Sequence, residues 1–209
     1  MISHEHRLIF IHIPRTAGTS FERWILGNDQ WQINSAEKHL TAAEAKEAYS
    51  KHWKNYWKFS ILRNTVDRFI SMLKFKDHFG VTVNDDGELD ISGYLRKFST
   101  DKEVVMEHDH RFTNLSSSIN CALRNGYPCN KGALYGNIIG NEMNAIFNYE
   151  RLDKIVSFLA ARTGLDPSDF PHSEKSIISQ QSQPVVTNRT RCVIQELHSL
   201  DLYLPINPL

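Results

Sequence analysis

The apolar pattern of the chain alternates between a strand-like and a helix-like period. Leu8 to Ile13 (LIFIHI) is an apolar, β-branched run interrupted by His12 that stops at Pro14, which predicts a strand over 7–13. The small residues Ala17, Gly18, Thr19 and Ser20 follow as a loop, and a helix is expected over 20–27. A short strand near 30–34 comes next, then a helix over 41–52 opened by Thr41 and Glu44, which have the spacing of a capping box. The strand signal returns over 56–62. Beyond it Val66, Phe69, Ile70 and Leu73, at i, i+3, i+4 and i+7, put one apolar stripe on a helix over 65–78.

Residues 79–140 are less regular, with a turn at Val83 to Gly87, a helix from Ile91 to Phe98, and a stretch rich in Asn, Ser and Gly from Asn114 to Gly140. Such a segment on a rigid scaffold forms a binding surface or lid, and it is assigned here to acceptor recognition. Ala145 to Tyr149 reads as a further strand. Leu152, Ile155, Val156 and Leu159 mark a helix from Leu152 to Arg162 that Gly164 stops, and a last helix runs from about Thr187 to Leu200. Strands alternating with helices predict an α/β fold, a doubly wound parallel sheet flanked by helices in one domain over 1–209.

Composition narrows the function classes. Lys plus Arg and Asp plus Glu are equal at 24 each in 209 residues, so no overall basic field favours nucleic acid or an anionic membrane, and any anion site must be local. The first strand begins within ten residues and no apolar run approaches the ~20 residues of a membrane span, so a cytoplasmic protein without a transmembrane segment is expected. Cys121, Cys129 and Cys192 have neither disulfide-framework nor zinc spacing; Cys121 and Cys129 flank a turn that would pair only in an oxidising compartment. His108, Asp109 and His110 lack further ligands and read as a solvated loop, so no metal site is expected.

The candidate chemistry lies where the first two strong strands end. A helix start carries unpaired N–H groups and about half a positive charge, and small residues there let a phosphate reach the backbone. The loop from Arg15 to Ser20 has these features, although Thr19 or Ser20 capping the helix would explain the same residues. It is P-loop-like but departs from the Walker A pattern, because Arg15 precedes the glycine and no lysine follows it. Arg63 ends the strand over 56–62, at the sheet edge where open α/β folds bind ligands, and Ser71 lies two helical turns further on.

Basic residue, Thr, Ala, Gly, Thr, Ser and Phe after a strand (Arg15 to Phe21) resembles the 5′-phosphosulfate loop of sulfotransferases, which use 3′-phosphoadenosine 5′-phosphosulfate, PAPS. Arg63, Asn64, Arg68 and Ser71 resemble the 3′-phosphate motif of the same family, with Thr65 standing where Pro is usual and expected to serve as an N-cap. NYERLDKIVSFLAARTGL and PHSEKS resemble the carboxyl half of the carbohydrate (heparan-sulfate-type and bacterial) branch. The resemblance implies PAPS as donor, 3′,5′-adenosine bisphosphate as product, and a hydroxyl acceptor, a carbohydrate in that branch. It implies Arg15, Thr16, Ala17, Gly18, Thr19 and Ser20 at the 5′ end, and Arg63 and Ser71 at the 3′-phosphate.

His39, just before Thr41, resembles a family histidine near the acceptor hydroxyl and is the candidate base, with Glu37 or the 108–110 loop next in line. Arg15, with the loop N–H groups, is the candidate for stabilising the leaving phosphate, though it stands where the family carries lysine, keeping the charge but unable to give up a proton. No step of this scheme calls for a metal. A nucleotide kinase or phosphotransferase, and a catalytically silent nucleotide-binding module, are the alternatives.

Overall fold

The computed structural model describes residues 1–73, 80–98, 134–171 and 183–209. The chain opens with β1 (Ile2–Ser3) and turns back antiparallel into β2 (Leu8–Ile11), with Ile2 opposite Ile9. The loop after β2 enters α1 (Gly18–Leu26), which ends on the left-handed Gly27. The expected strand near 30–34 is instead a short helix, α2 (Gln30–Ile33), followed by a single 3-10 turn over Ser35–Glu37. The reason is capping: Asp29 accepts from Trp31 N, and Asn34 does the same for Ala36 N, so the polar side chains start turns rather than flank an extended run.

Thr41 and Glu44 form the full capping box of α3 (Ala42–Ala48). The helix expected over 41–52 breaks at Tyr49 (φ −108, ψ 29), beyond which α4 (Ser50–Trp53) leads to β3 (Trp57–Leu62). α5 (Thr65–Met72) is capped by Asn64, whose side chain accepts from Val66 N and Asp67 N. The cap was expected at Thr65; that residue occupies the first helical position instead, the one that suits proline. Residues 74–78 of the expected helix over 65–78 lie outside the described part.

β4 (Thr82–Val83) and β5 (Leu89–Asp90) form a small hairpin around the expected 83–87 turn, and α6 (Ser92–Phe98) follows it. α7 (Leu134–Ile139) leads into β6 (Ala145–Asn148), then α8 (Leu152–Thr163), stopped by the left-handed Gly164, and α9 (Asn188–Leu197), capped by Thr187. His108, Asp109, His110, Cys121, Cys129 and most of PHSEKS lie outside the described residues, whereas Cys192 is a free, exposed thiol.

The main sheet has the order β1-β2-β3-β6, parallel from β2 to β6. The unbroken apolar run of β2 follows from its central place. Leu8 and Phe10 face Phe21, Trp24 and Ile25 of α1 together with Ile155, Val156 and Leu159 of α8, while Ile9 and Ile11 face Ala42, Ala45, Tyr49 and Trp53 with Ile138 and Ile139 of α7. Helices thus cover both faces. A third apolar cluster joins Phe69 and Met72 of α5 to Leu89, Tyr94 and Ile194 of α9. Among the described residues no helix is long and apolar enough to cross a membrane.

Candidate active site

Residues 12–17 carry the chain from the end of β2 into α1. Arg15 (φ 74) and Ala17 (φ 63) are left-handed without being glycine, a state that costs roughly 1–3 kcal/mol each and clusters at ligand clamps. Other contacts hold the loop. Thr16 is fully buried and donates its hydroxyl to Ile13 O at 2.8 Å, and Ser20 N donates to Ala17 O at 2.9 Å. Ala17 is the N-cap of α1 and no side chain caps the helix, so its first N–H groups are left to solvent or a ligand.

On one flank of the loop three guanidinium groups converge. Arg15 donates from Nε and Nη2 to Ser71 Oγ at 2.9 and 2.8 Å, bringing together the two segments that the sequence keeps 56 positions apart. Arg63 Nη1 donates to Arg15 O at 3.2 Å, and Arg68 Nε donates to Pro14 O at 3.0 Å. Burial, then the neighbouring charge of Arg63, pushes the Arg15 pKa down, with Arg68 adding to it. Among the described residues Arg63 and Arg68 form no ion pair with a carboxylate. Arg63 Nε is buried with no hydrogen-bond partner. Crowded like charges with an unmet donor at an uncapped helix start fit an oxyanion such as phosphate.

The other flank is a buried ionic chain. The His12 ring lies against Gly18 so closely that a Cβ there would fall 1.9 Å from its Cδ2 and Nε2, which is why only glycine fits. His12 Nδ1 donates to Glu22 Oε1 at 2.6 Å, and Glu22 Oε2 accepts from Lys38 Nζ at 2.7 Å and Gln30 N at 3.0 Å. Burial alone would raise the Glu22 pKa, but His12, Lys38 and the Gln30 N–H overcome it and hold the carboxyl well below the usual range. Lys38 Nζ also donates to Thr19 Oγ1 at 3.3 Å, so a lysine reaches the loop from outside it.

His39 (φ 65) does not follow a strand, as expected, but the 3-10 turn over Ser35–Glu37. Its Nδ1 is 3.2 Å from His12 O, and its ring lies 4.3 Å from that of His12 and 6.1 Å from Trp31. A carbonyl only accepts, so Nδ1 carries the proton and Nε2 keeps its lone pair. Burial, then the neighbouring His12, holds the His39 pKa well below 6.5, so the imidazole is neutral at pH 7. Glu37, the next candidate, accepts from Tyr49 Oη at 2.6 Å and from Asn34 Nδ2 at 2.8 Å.

A cavity of about 800 Å³ opens beside Arg63 at the carboxyl ends of β3 and β6. Sequence reasoning missed His198 and Asp201 on its wall, though their i, i+3 spacing at a helix end was a usable signal. It also missed His12, Glu22 and Lys38. No periodic spacing links these three, and an acid inside a helix reads as solvent-facing.

The model of the sulfotransferase family matches residues 1–201, nearly the whole chain, and the protein belongs to that family. No match emerges among curated proteins or among solved structures.

Proposed function

We propose that the protein transfers the sulfuryl group of PAPS to a hydroxyl of a carbohydrate, with residues 1–209 as one P-loop-like, doubly wound domain in which 79–140 recognises the acceptor. The observation that carries the reading is the convergence of Arg15, Arg63 and Arg68 on the loop and Ser71, next to a helix start without a cap. PAPS supplies the sulfuryl group and leaves as 3′,5′-adenosine bisphosphate.

Arg63 and Ser71 bind the 3′-phosphate. The backbone of Thr16, Ala17 and Gly18, with Thr19 and Ser20, binds the 5′ end, where positioning and fixed positive charge favour the departing anion. Arg15 joins both ends, because its guanidinium reaches Ser71 while its backbone belongs to the loop. Lys38 is a positioning residue: anchored on Glu22, it fixes the Thr19 hydroxyl. His39 takes the acceptor proton at Nε2. The uncapped loop also suits a nucleotide phosphotransferase, but it offers no lysine after the glycine, and the family match speaks for sulfuryl transfer.

The test pairs turnover with binding. Labelled sulfate is followed from PAPS to a panel of sugars, lipid-linked sugars and small hydroxyl compounds, and 3′,5′-adenosine bisphosphate and adenosine 5′-phosphate are titrated by calorimetry. Arg63→Ala removes charge-assisted bonds of roughly 1.5–3 kcal/mol, so affinity for the bisphosphate falls about 10- to 100-fold while the monophosphate changes little. Equal losses for both ligands refute the 3′-phosphate assignment.

A further inference from the structure

We propose that His198 is a second ligand of the anion held by Arg63, and that it takes up a proton as that anion binds. This rests on the reading of Arg63 as the 3′-phosphate ligand.

The cavity at the carboxyl ends of β3 and β6 is lined by Arg63, Asn148, Glu150, Glu196 and His198, among others. His198 ends α9 and is only 4% exposed. Its Nδ1 is 2.6 Å from Asp201 Oδ2, and Asp201 is itself immobilised by the start of α7, accepting from Tyr135 N at 2.9 Å and Gly136 N at 2.8 Å. A carboxylate on Nδ1 sets the tautomer and leaves Nε2 on the far side of the ring, buried and without a hydrogen-bond partner. Arg63 Nε is in the same condition. Tyr135 joins the two residues: its hydroxyl donates to Arg63 O at 2.7 Å and its ring lies 4.5 Å from that of His198.

Arg63 and His198 both line this cavity, and each carries a buried nitrogen without a partner, an unusual pair, since each unmet polar group destabilises the fold. An oxyanion satisfies both, accepting from Arg63 Nε–H and from a protonated His198 Nε2–H. The protonation state follows from the groups facing the ring. Burial holds the free imidazole below its ordinary pKa, the nearby charge of Arg68 of α5 adds to this, and Asp201 opposes it. Arg63 and Glu150 line the same cavity, Tyr135 packs on the ring from α7, and Glu196 lies on its own helix. A phosphate dianion at Nε2 adds a second negative neighbour, so the imidazolium lies between two anions and solvent supplies the proton.

The experiment titrates the full chain with 3′,5′-adenosine bisphosphate at pH 7.5 in two buffers of different ionisation heat, with adenosine 5′-phosphate as the ligand lacking the 3′ group. The expected result is an uptake approaching one proton per bisphosphate bound, beyond that for the monophosphate. In His198→Asn, whose amide keeps the bond to Asp201 but has no Nε2, the extra uptake vanishes and bisphosphate affinity falls roughly 10- to 100-fold. Failure of the wild-type protein to bind the bisphosphate overturns the nucleotide reading. Binding with no extra proton, or with the same uptake in His198→Asn, overturns this inference alone. An absent wild-type proton difference overturns it even where the variant does not fold, and His198→Gln, which also lacks the ring Nε2, then stands in for His198→Asn.

Discussion

Gly18 shows how one residue ties the loop to the buried ionic chain. Its Cα lies against the His12 ring, which Glu22 holds from the other side, so neither neighbour can yield freely. Gly18→Ala should therefore destabilise the fold by about 1–3 kcal/mol through overpacking and displace the loop. Urea denaturation and bisphosphate titration check this, and an alanine variant with unchanged stability and affinity refutes the tight contact. The sequence flagged Gly18 for phosphate approach, but not for His12, because a histidine in an apolar run carries no sign of its partner. His39 makes the second residue-scale prediction. Its lowered pKa keeps it neutral at pH 7, so in the wild type the acid limb of kcat should lie below pH 6.5. His39→Ala should lower kcat roughly 10²- to 10⁴-fold, abolish that limb and leave bisphosphate affinity nearly unchanged. Collapse of nucleotide binding instead would make His39 structural.

At the scale of elements, the strong strands were legible because β2, β3 and β6 lie together in the sheet, and α1, α5 and α8 kept their apolar stripes. What periodicity could not show was which polar residue caps a turn. Asp29 and Asn34 convert the expected strand near 30–34 into helical turns through side-chain bonds to backbone N–H groups, and such bonds compete with extended structure locally. The same logic moves the α5 cap from Thr65 to Asn64 and explains the departure from the family motif. Asn64 is extended (φ −44, ψ 129), as a residue before proline must be, and Thr65 sits where a missing N–H is harmless. Thr65→Pro should be neutral or stabilise by up to about 1 kcal/mol, whereas Asn64→Ala should cost about 0.5–2 kcal/mol. Denaturant midpoints of the two variants check the assignment, and a marked loss in Thr65→Pro would return the cap to Thr65.

Across the whole molecule, the proposed site joins three parts of the chain at the carboxyl edge of the sheet: the loop after β2, the start of α5 after β3, and the carboxyl-terminal segment around His198. The first two carry recognisable motifs. The third was invisible because its role depends on α7 placing Tyr135 and Gly136 against Asp201, a contact spanning more than 60 residues. These parts also share a response to pH. His12, His39 and His198 all have folded pKa values below 6.5, burial being the largest cause in each, and Glu22 is held below 4.5. For every one of them the unfolded chain binds protons more readily, so stability rises with pH through the window in which they titrate. The histidine contribution is complete above pH 6.5 and is lost as pH falls through the folded values; that of Glu22 is present above 4.5 and is lost at lower pH still. The melting temperature should therefore change little from pH 7.5 to 6.5 and fall from there to pH 5. Added 3′,5′-adenosine bisphosphate should raise it, by RT ln(1 + [L]/Kd) in free energy, about 2.7 kcal/mol at a hundredfold excess over Kd. Melts across this range, with and without the bisphosphate, check both effects. A melting temperature indifferent to pH between 7.5 and 5.5 would mean that the buried histidines titrate alike in the folded and unfolded chains, and the neutral His39 required of a base would lose its support.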